Sequence, residues 1–286
     1  RFKDKSEVRF TIGDNNAAVV YVTLNGGKAV SRPEIGLSWV QHPEEHFSPW
    51  RFLRADDPNC EKPVSELIGQ LKSKSEVERT SGAKALHLLG EASRPAIPAL
   101  AAALSDKNPQ VRSHALQALR RCGPEAVSTI PSLKEAYTKG TKDEKITVLR
   151  IFETMGPSAV PAMDVILSAM SEKDWDIHRQ GFATVKELGP EAAKLIPDML
   201  EIVQKTNDSD LYRMAPVAFG RFGPAAKDAL PALRKALRKE KPFFKKLKED
   251  HVIWAMGNIG GLTDEDIQML RKRQKGGNVY ADIALR

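Results

Sequence analysis

A short phrase built on glycine and proline recurs along most of this chain and constrains its fold more than any other feature. In each copy an apolar residue precedes a glycine, proline commonly follows it, and a second proline comes within eight residues. The glycines, 33 to 37 residues apart, are Gly90, Gly123, Gly156, Gly189, Gly223 and, in a weaker copy, Gly260. A period of this length is typical of stacked repeats rather than of one compact globule.

The residue types in the phrase predict what each repeat contains. Glycine just past a helix adopts the left-handed conformation that closes the helix. The second proline suits the first turn of the next helix, where its missing N–H costs nothing. Each unit is therefore predicted to be a helix ending at glycine, a tight turn, a helix beginning near proline, and a polar loop.

Alignment of the units on glycine predicts which face of the second helix is buried. Large apolar residues recur one, four and seven positions before the glycine, as in Cys122, Leu119 and Leu116. Positions five and eight before it are mostly small, as in Ala118 and Ala115. Spacing of three and four marks one side of a helix, so Cys122 is predicted to be a buried core residue rather than a reactive thiol.

The unit length, the helix pair and the string Asp106…Val111-Arg112…Ala115…Leu119…Gly123 resemble bacterial HEAT repeats of the type also found in phycobilin lyases. This resemblance implies a mainly α fold, an α-α superhelix over roughly residues 62–262, and conveys no activity. The full Asp…Val-Arg pattern occurs once. Arg79 keeps the arginine and Lys145 and Glu249 replace it, whereas Arg179 and Arg213 carry it shifted by one position.

The two ends of the chain differ from the repeats. Alternation from Val8 to Ile12 and a β-rich run over 18–24, followed by Asn25-Gly26-Gly27, predict a small hairpin. The aromatic, proline-punctuated stretch that follows contains Trp39 and Trp50. We therefore expect an N-terminal β and irregular docking arm over 1–60, a HEAT array of about six helix pairs over 61–262, and a C-terminal helix and tail over 263–286.

Composition excludes several classes of protein. Hydrophobic residues make up 41% and charged residues 28% of the 286 residues, which is too apolar for a disordered chain. No run of 18 uncharged apolar residues exists, so a membrane-spanning helix is not predicted. Two cysteines, Cys60 and Cys122, exclude a disulfide scaffold. The sequence starts at Arg1 without an apolar leader, which leaves both a cytoplasmic location and export after signal cleavage open.

Positive charge is concentrated near the C-terminus. Residues 1–60 are neutral, residues 61–231 carry a net +1, and residues 232–286 carry a net +6. The predicted basic patch consists of Arg234, Lys235, Arg238, Lys239, Lys245 and Lys246. It is either a solvated helix face or a site for nucleic acid or an anionic surface.

Sequence motifs for chemistry are absent: there is no phosphate-binding glycine loop and no serine nucleophile elbow, and we predict no catalytic residue and no cofactor. His42 and His46 stand four apart, but Pro43 disfavours a helix through both, so no metal site is predicted. Trp175, Asp176 and Arg179 are the nearest counterpart of a glycosylase cluster. The nearly neutral middle repeats argue against a groove lined for DNA.

A protein-binding surface is the favoured interpretation. Positions six and nine before the glycine lie away from the core and become apolar along the array, ending in Met214, Val217 and Trp254. These three, with Trp39 and Trp50, are the predicted partner-binding residues. The alternative is that the tail, residues 262–286, covers the apolar end.

We therefore expect a non-catalytic scaffold or assembly subunit that binds protein partners and is capable of self-assembly. A β segment ahead of a short HEAT array resembles the tubule-inducing subunits of nitrite oxidoreductase, which implies an accessory subunit that organises a larger respiratory enzyme complex. The alternatives are a HEAT-like enzyme of the bilin lyase or DNA glycosylase type, and nucleic-acid or anionic-surface binding by the basic C-terminal region.

Overall fold

A computed structural model of the chain describes residues 7–12, 18–23, 62–205, 210–238 and 248–285. The chain divides into two units, residues 1–48 and 49–286. Several residues singled out above lie outside the described ranges: Trp39, His42, His46, Trp50, Cys60, Lys239, Lys245 and Lys246.

The N-terminal unit contains an antiparallel pair of strands, β1 (Glu7–Ile12) and β2 (Ala18–Thr23). Their register places Glu7 opposite Thr23 and Ile12 opposite Ala18. The two strands match the two β-rich runs expected from the alternating sequence, on either side of Gly13-Asp14-Asn15-Asn16.

The second unit is an α-α superhelix of helix pairs. The first helices of the pairs are α1 (Val64–Leu71), α3 (Ile97–Ala103), α5 (Ile130–Lys139), α7 (Met163–Met170), α9 (Ile196–Lys205), α11 (Leu230–Arg238) and α13 (Asp264–Lys275). The second helices are α2 (Glu76–Leu89), α4 (Pro109–Cys122), α6 (Lys142–Met155), α8 (Trp175–Val185), α10 (Leu211–Arg221), α12 (Glu249–Ile259) and α14 (Val279–Ala284). The predicted mainly α fold is thus confirmed.

The predicted glycine column is found at the ends of the second helices α2 to α12. All six glycines have positive φ angles, from 56° at Gly156 to 78° at Gly189. This is the left-handed region that residues with a β-carbon rarely adopt. The repeat period of the sequence is therefore set by one backbone conformation that recurs once in each of the first six pairs.

The connection after the glycine differs from the predicted tight turn. In five repeats a 3₁₀ helix of six or seven residues follows, as over Gly123–Thr129, before the next α-helix begins. The hydroxyl of Thr129 donates to the carbonyl oxygen of Ala126 at 2.7 Å, and Ser93 donates to Gly90 at 2.6 Å. These side chains satisfy backbone carbonyls that the short 3₁₀ segments leave unpaired.

The core runs continuously through the helix pairs. Leu86, Leu119, Phe152, Val185 and Phe219, which share the position four before the glycine, are all completely buried. Cys122 is 1% exposed and contacts the Ser93 hydroxyl, so it is the buried core residue that the pattern predicts.

Charged side chains link successive repeats at the position eleven before the glycine. Arg79 Nε lies 2.6 Å from Asp106 Oδ2, Arg112 Nε lies 2.8 Å from Glu144 Oε1, and Lys145 Nζ lies 2.7 Å from Glu172 Oε1. Arg112 also donates to the carbonyl oxygen of Asp106 at 2.9 Å. We call Arg79, Arg112 and Lys145, with their carboxylates, the inter-repeat ladder.

The C-terminal residues form a seventh helix pair, α13 and α14, where one short helix and a tail were expected. Helix α14 packs against α12 so closely that a β-carbon on Gly257 would lie 2.7 Å from Ala284 Cβ. Thr263 and Asp266 form a capping box at the start of α13. Within the described ranges every helix is too short or too polar to cross a lipid bilayer.

Candidate functional site

A groove of about 460 Å³ crosses three consecutive second helices, α6, α8 and α10, and reaches the start of α12. Its lining includes residues at the positions six and nine before the glycine, namely Arg150, Gln180, Ala183, Met214, Val217 and His251. These are the two positions that the sequence separates from the core. The groove is therefore a surface that the repeat pattern itself generates.

Apolar side chains occupy part of this groove. Met214 and Val217 lie one turn apart on α10, and Ala183 and Ile146 continue the apolar surface onto α8 and α6. Met214 is half-buried and packs against the core. The structure thus brings two of the predicted partner-binding residues together in one groove.

Cationic side chains occupy the rest of it, from three different helices. The cations are Arg150 on α6, Arg179 and Lys186 at α8, and Arg213 on α10. Lys186 lies 3.6 Å from Glu187, and Arg213 lies 3.5 Å from Asp210 on the same helix end. Arg150 and Arg179 make no ion pair or hydrogen bond to any residue of the described ranges. The groove therefore has an excess of positive charge.

A one-residue shift places Arg179 and Arg213 in this groove. The ladder arginines Arg79 and Arg112 stand eleven positions before the glycine, whereas Arg179 and Arg213 stand ten before it. One residue corresponds to about 100° around a helix. The shift therefore turns these guanidinium groups away from the inter-repeat ladder and towards the groove.

Asp176 is the acidic residue among the groove-lining side chains, and it shares the ammonium group of Lys142 with Asp174. Its carboxylate lies 2.5 Å from Lys142 Nζ, which also contacts the helix-capping Asp174 at 2.9 Å. Glu153 lies beside the groove and accepts a hydrogen bond from Gln180 Nε2 at 2.8 Å. The lining of the groove thus contains more cations than anions, although residues 61–231 as a whole are nearly neutral.

Trp175 positions Arg179. The guanidinium carbon of Arg179 lies 5.3 Å from the centre of the Trp175 ring, within the range of a cation–π contact, and Trp175 is 49% exposed. Trp175 also lines a neighbouring cavity of about 620 Å³ with mixed charges, including Glu172, Lys173 and Asp198. In the glycosylase-like cluster, Asp176 is ion-paired to Lys142, and the guanidinium group of Arg179 packs against the ring of Trp175.

Trp254 occupies a different environment from Met214 and Val217. It is half-buried, packs against the core, and its ring contacts the backbone of Gly220 on α10. A β-carbon at Gly220 would lie 2.8 Å from Trp254 Cε3. The structure therefore places Trp254 between α10 and α12.

The described members of the predicted basic patch hold the C-terminal helix pair. Arg234 forms a bidentate pair with Asp266, whose side chain is completely buried, at 2.9 and 2.7 Å. Arg238 lies 2.5 Å from Glu265, and Lys235 is exposed. Two cations of the patch thus have partners on α13.

Two histidines continue the second-helix surface towards the N-terminal end of the array. The rings of His87 and His114 have centroids 5.8 Å apart. Burial, with smaller effects from His114, Arg121 and Arg120, lowers the pKa of His87 to about 4. Burial also lowers the pKa of His114, and burial followed by Arg213 lowers that of His251. All three rings are therefore neutral at pH 7.

The Nδ1 atom of His251 is buried at the groove without a hydrogen-bond partner. Among the described residues, no three His, Cys, Asp or Glu side chains come together as they do around a metal ion.

Comparison with known proteins supports the repeat fold. Residues 64–150 match the family model of HEAT repeats. A crystal structure of computationally designed armadillo repeat proteins for modular peptide recognition is similar over 69% of this chain and 100% of that chain, with 12% identity and a TM-score of 0.52. A crystal structure described as an engineered protein is similar over 68% of this chain and 96% of that chain, with 16% identity and a TM-score of 0.50. No curated protein matches the sequence.

Proposed function

We propose that this repeat protein is a non-catalytic scaffold that binds a protein partner across the groove of α6, α8 and α10. The observation that carries the proposal is the groove itself, where Met214 and Val217 present apolar surface and where Arg150 and Arg179 make no ion pair or hydrogen bond within the described residues. Helical repeats contact only their neighbours and so expose an extended binding surface. Peptide recognition by the designed armadillo proteins of similar fold is consistent with this role.

The direct test is recovery of native partners with a groove variant. The full chain is used to purify partners from its source, which are identified by mass spectrometry, and is compared with the double variant Met214→Ser/Val217→Ser. A matched control is Val127→Ser, because Val127 is 43% exposed on a 3₁₀ helix outside this groove. We expect partner recovery to fall for the groove variant and to persist for the control. Equal recovery by all three proteins would contradict the proposal.

We further propose that the scaffold organises a larger enzyme complex as an accessory subunit. The support is the resemblance of a β segment preceding a short HEAT array to the tubule-inducing subunits of nitrite oxidoreductase. Co-migration of the full chain with an oxidoreductase activity on a native gel tests this step. If the chain migrates separately from every enzyme activity, it is not a subunit of an enzyme complex, and only the proposal of a scaffold remains.

Residues 1–60 are proposed as a second contact, a docking arm. An antiparallel pair of strands has outer edges that can pair with a partner's sheet. Deletion of residues 1–60 should leave the helical signal in circular dichroism unchanged and weaken complex formation. Undiminished binding by the truncated chain would rule out this role.

A further inference from the structure

We infer that the groove of α6, α8 and α10 binds an acidic segment of a partner protein in extended conformation. The inference rests on the proposed function and specifies the chemistry of the ligand. Its basis is the coincidence, in one groove, of arginines from three successive repeats and an apolar surface at the α10 end.

The charge of the groove selects for carboxylates. Arg150, Arg179 and Arg213 come from three neighbouring second helices, and the acidic lining residue, Asp176, is already paired with Lys142. Arginine donates paired hydrogen bonds that match a carboxylate.

The arginines are also prepared for a ligand. Stacking on Trp175 restricts the Arg179 side chain before any partner arrives. A side chain that is already ordered loses less conformational entropy on binding. Arg150 is exposed and has no partner within the described part of the chain, so its full donor capacity is available.

The spacing of the helices sets the spacing of the acidic residues. Helices α6 and α8 pack side by side, as do α8 and α10, and packed helix axes lie about 8–10 Å apart. An extended chain in the polyproline II conformation advances about 3.1 Å per residue and has three residues per turn, so every third side chain faces the groove. One step from helix to helix therefore corresponds to about three residues, so the ligand carries acidic residues at every third position.

The apolar surface favours a peptide over nucleic acid. Met214 and Val217 adjoin Arg213 on α10, and Ala183 and Ile146 adjoin Arg179 and Arg150. An aliphatic side chain next to a carboxylate satisfies both parts of this surface. The phosphate backbone of a nucleic acid would contact only the cationic side chains of the groove.

The test measures binding of synthetic peptides to the full chain by fluorescence anisotropy. The probe is a labelled peptide with three glutamates at every third position and a leucine beside the first and the last of them. One control peptide replaces the glutamates by glutamines, and another places three glutamates consecutively. We expect the spaced glutamate peptide to bind most tightly, with affinity falling as salt rises.

Protein variants locate the binding. Arg150→Gln, Arg179→Gln and Arg213→Gln should each weaken binding about two- to fivefold, as expected for exposed ion pairs, and the triple variant should weaken it more than any single change. Arg271→Gln on α13 removes the same charge from an exposed position outside the groove and should leave binding unchanged. Circular dichroism of the triple variant should match wild type because these arginines are exposed.

Three results would overturn the inference. They are equal binding of the glutamate and glutamine peptides, unchanged binding by the triple variant, and tighter arginine-dependent binding of a single-stranded oligonucleotide than of the peptide. If peptide binding fails while Met214→Ser/Val217→Ser still reduces recovery of the native partner, the acidic ligand is refuted and the proposed function stands. If both experiments fail, both are refuted.

Discussion

The indole ring of Trp254 packs directly on the backbone of Gly220, so that α12 approaches α10 where the sequence has no β-carbon. A β-carbon there would lie 2.8 Å from Trp254 Cε3 and 3.0 Å from Ala255 Cα. This contact assigns Trp254 to the packing of two repeats against each other.

Gly220→Ala should therefore destabilise the protein by about 1–3 kcal/mol, because the added methyl group forces the Trp254 ring and α12 to move. The measurement is chemical denaturation monitored by circular dichroism. Gly69→Ala is the matched control, since a β-carbon at Gly69 on α1 meets nothing within 4 Å. The control should be neutral or stabilising by up to about 1 kcal/mol through helix propensity. Similar behaviour of the two variants would disprove the close contact.

Trp254→Ser should lower the melting temperature, because it removes a half-buried ring from the interface of α10 and α12. The same variant tests the sequence-based prediction that Trp254 binds a partner. Lower stability with undiminished partner recovery would assign the residue to packing alone. An unchanged melting temperature with lost recovery would assign it to the binding surface.

Leu119→Ala should cost about 2–5 kcal/mol of unfolding free energy, since Leu119 is completely buried on α4 and the change leaves a cavity. Urea denaturation measures it. Val127→Ala, at a position 43% exposed, is the control and should change stability by less than about 0.5 kcal/mol. A wild-type midpoint for Leu119→Ala would mean that the buried face of α4 is misassigned.

The ladder and groove arginines should respond differently to the same substitution. Arg112→Gln should destabilise the protein by about 1–3 kcal/mol, because it leaves the nearly buried Glu144 carboxylate without its charged partner. Arg179→Gln should change stability by less than about 0.5 kcal/mol, because Arg179 is exposed. Thermal denaturation of both variants decides the matter, and equal losses would contradict the assignment of Arg179 to the groove.

Stability should decrease as pH falls from about 6.5 to 4, in part because of His87. Its pKa in the folded protein, about 4, is below the value of 6.5 for an unperturbed histidine, so the unfolded state binds the proton more strongly. The penalty is absent above the unfolded pKa and complete below the folded one. His87→Phe keeps an aromatic ring and should flatten this part of the profile, measured as melting temperature against pH. An unchanged slope would mean that His87 is solvated.

The repeat fold can be predicted from the sequence because the residues that determine it act through local backbone conformation and spacing. Glycine closes the second helices α2 to α12 through its own backbone, and Leu119 and its equivalents define the buried face by spacing alone. The 3₁₀ segments could not be predicted, because α-helices and 3₁₀ helices accommodate the same small residues. The charged groove could not be predicted, because Arg150, Arg179 and Arg213 are far apart in sequence and the sequence does not show which carboxylates pair with which cations.

The groove spans three repeats, and each of these repeats packs only against the repeats next to it in the array. In such an array individual repeats open locally, at a free-energy cost below that of global unfolding. A ligand that spans α6, α8 and α10 must be released before any one of them opens, so its binding energy is added to the cost of each opening. Amide hydrogen exchange in all three repeats should then slow together when the partner binds, because the bound ligand joins them into one cooperative unit.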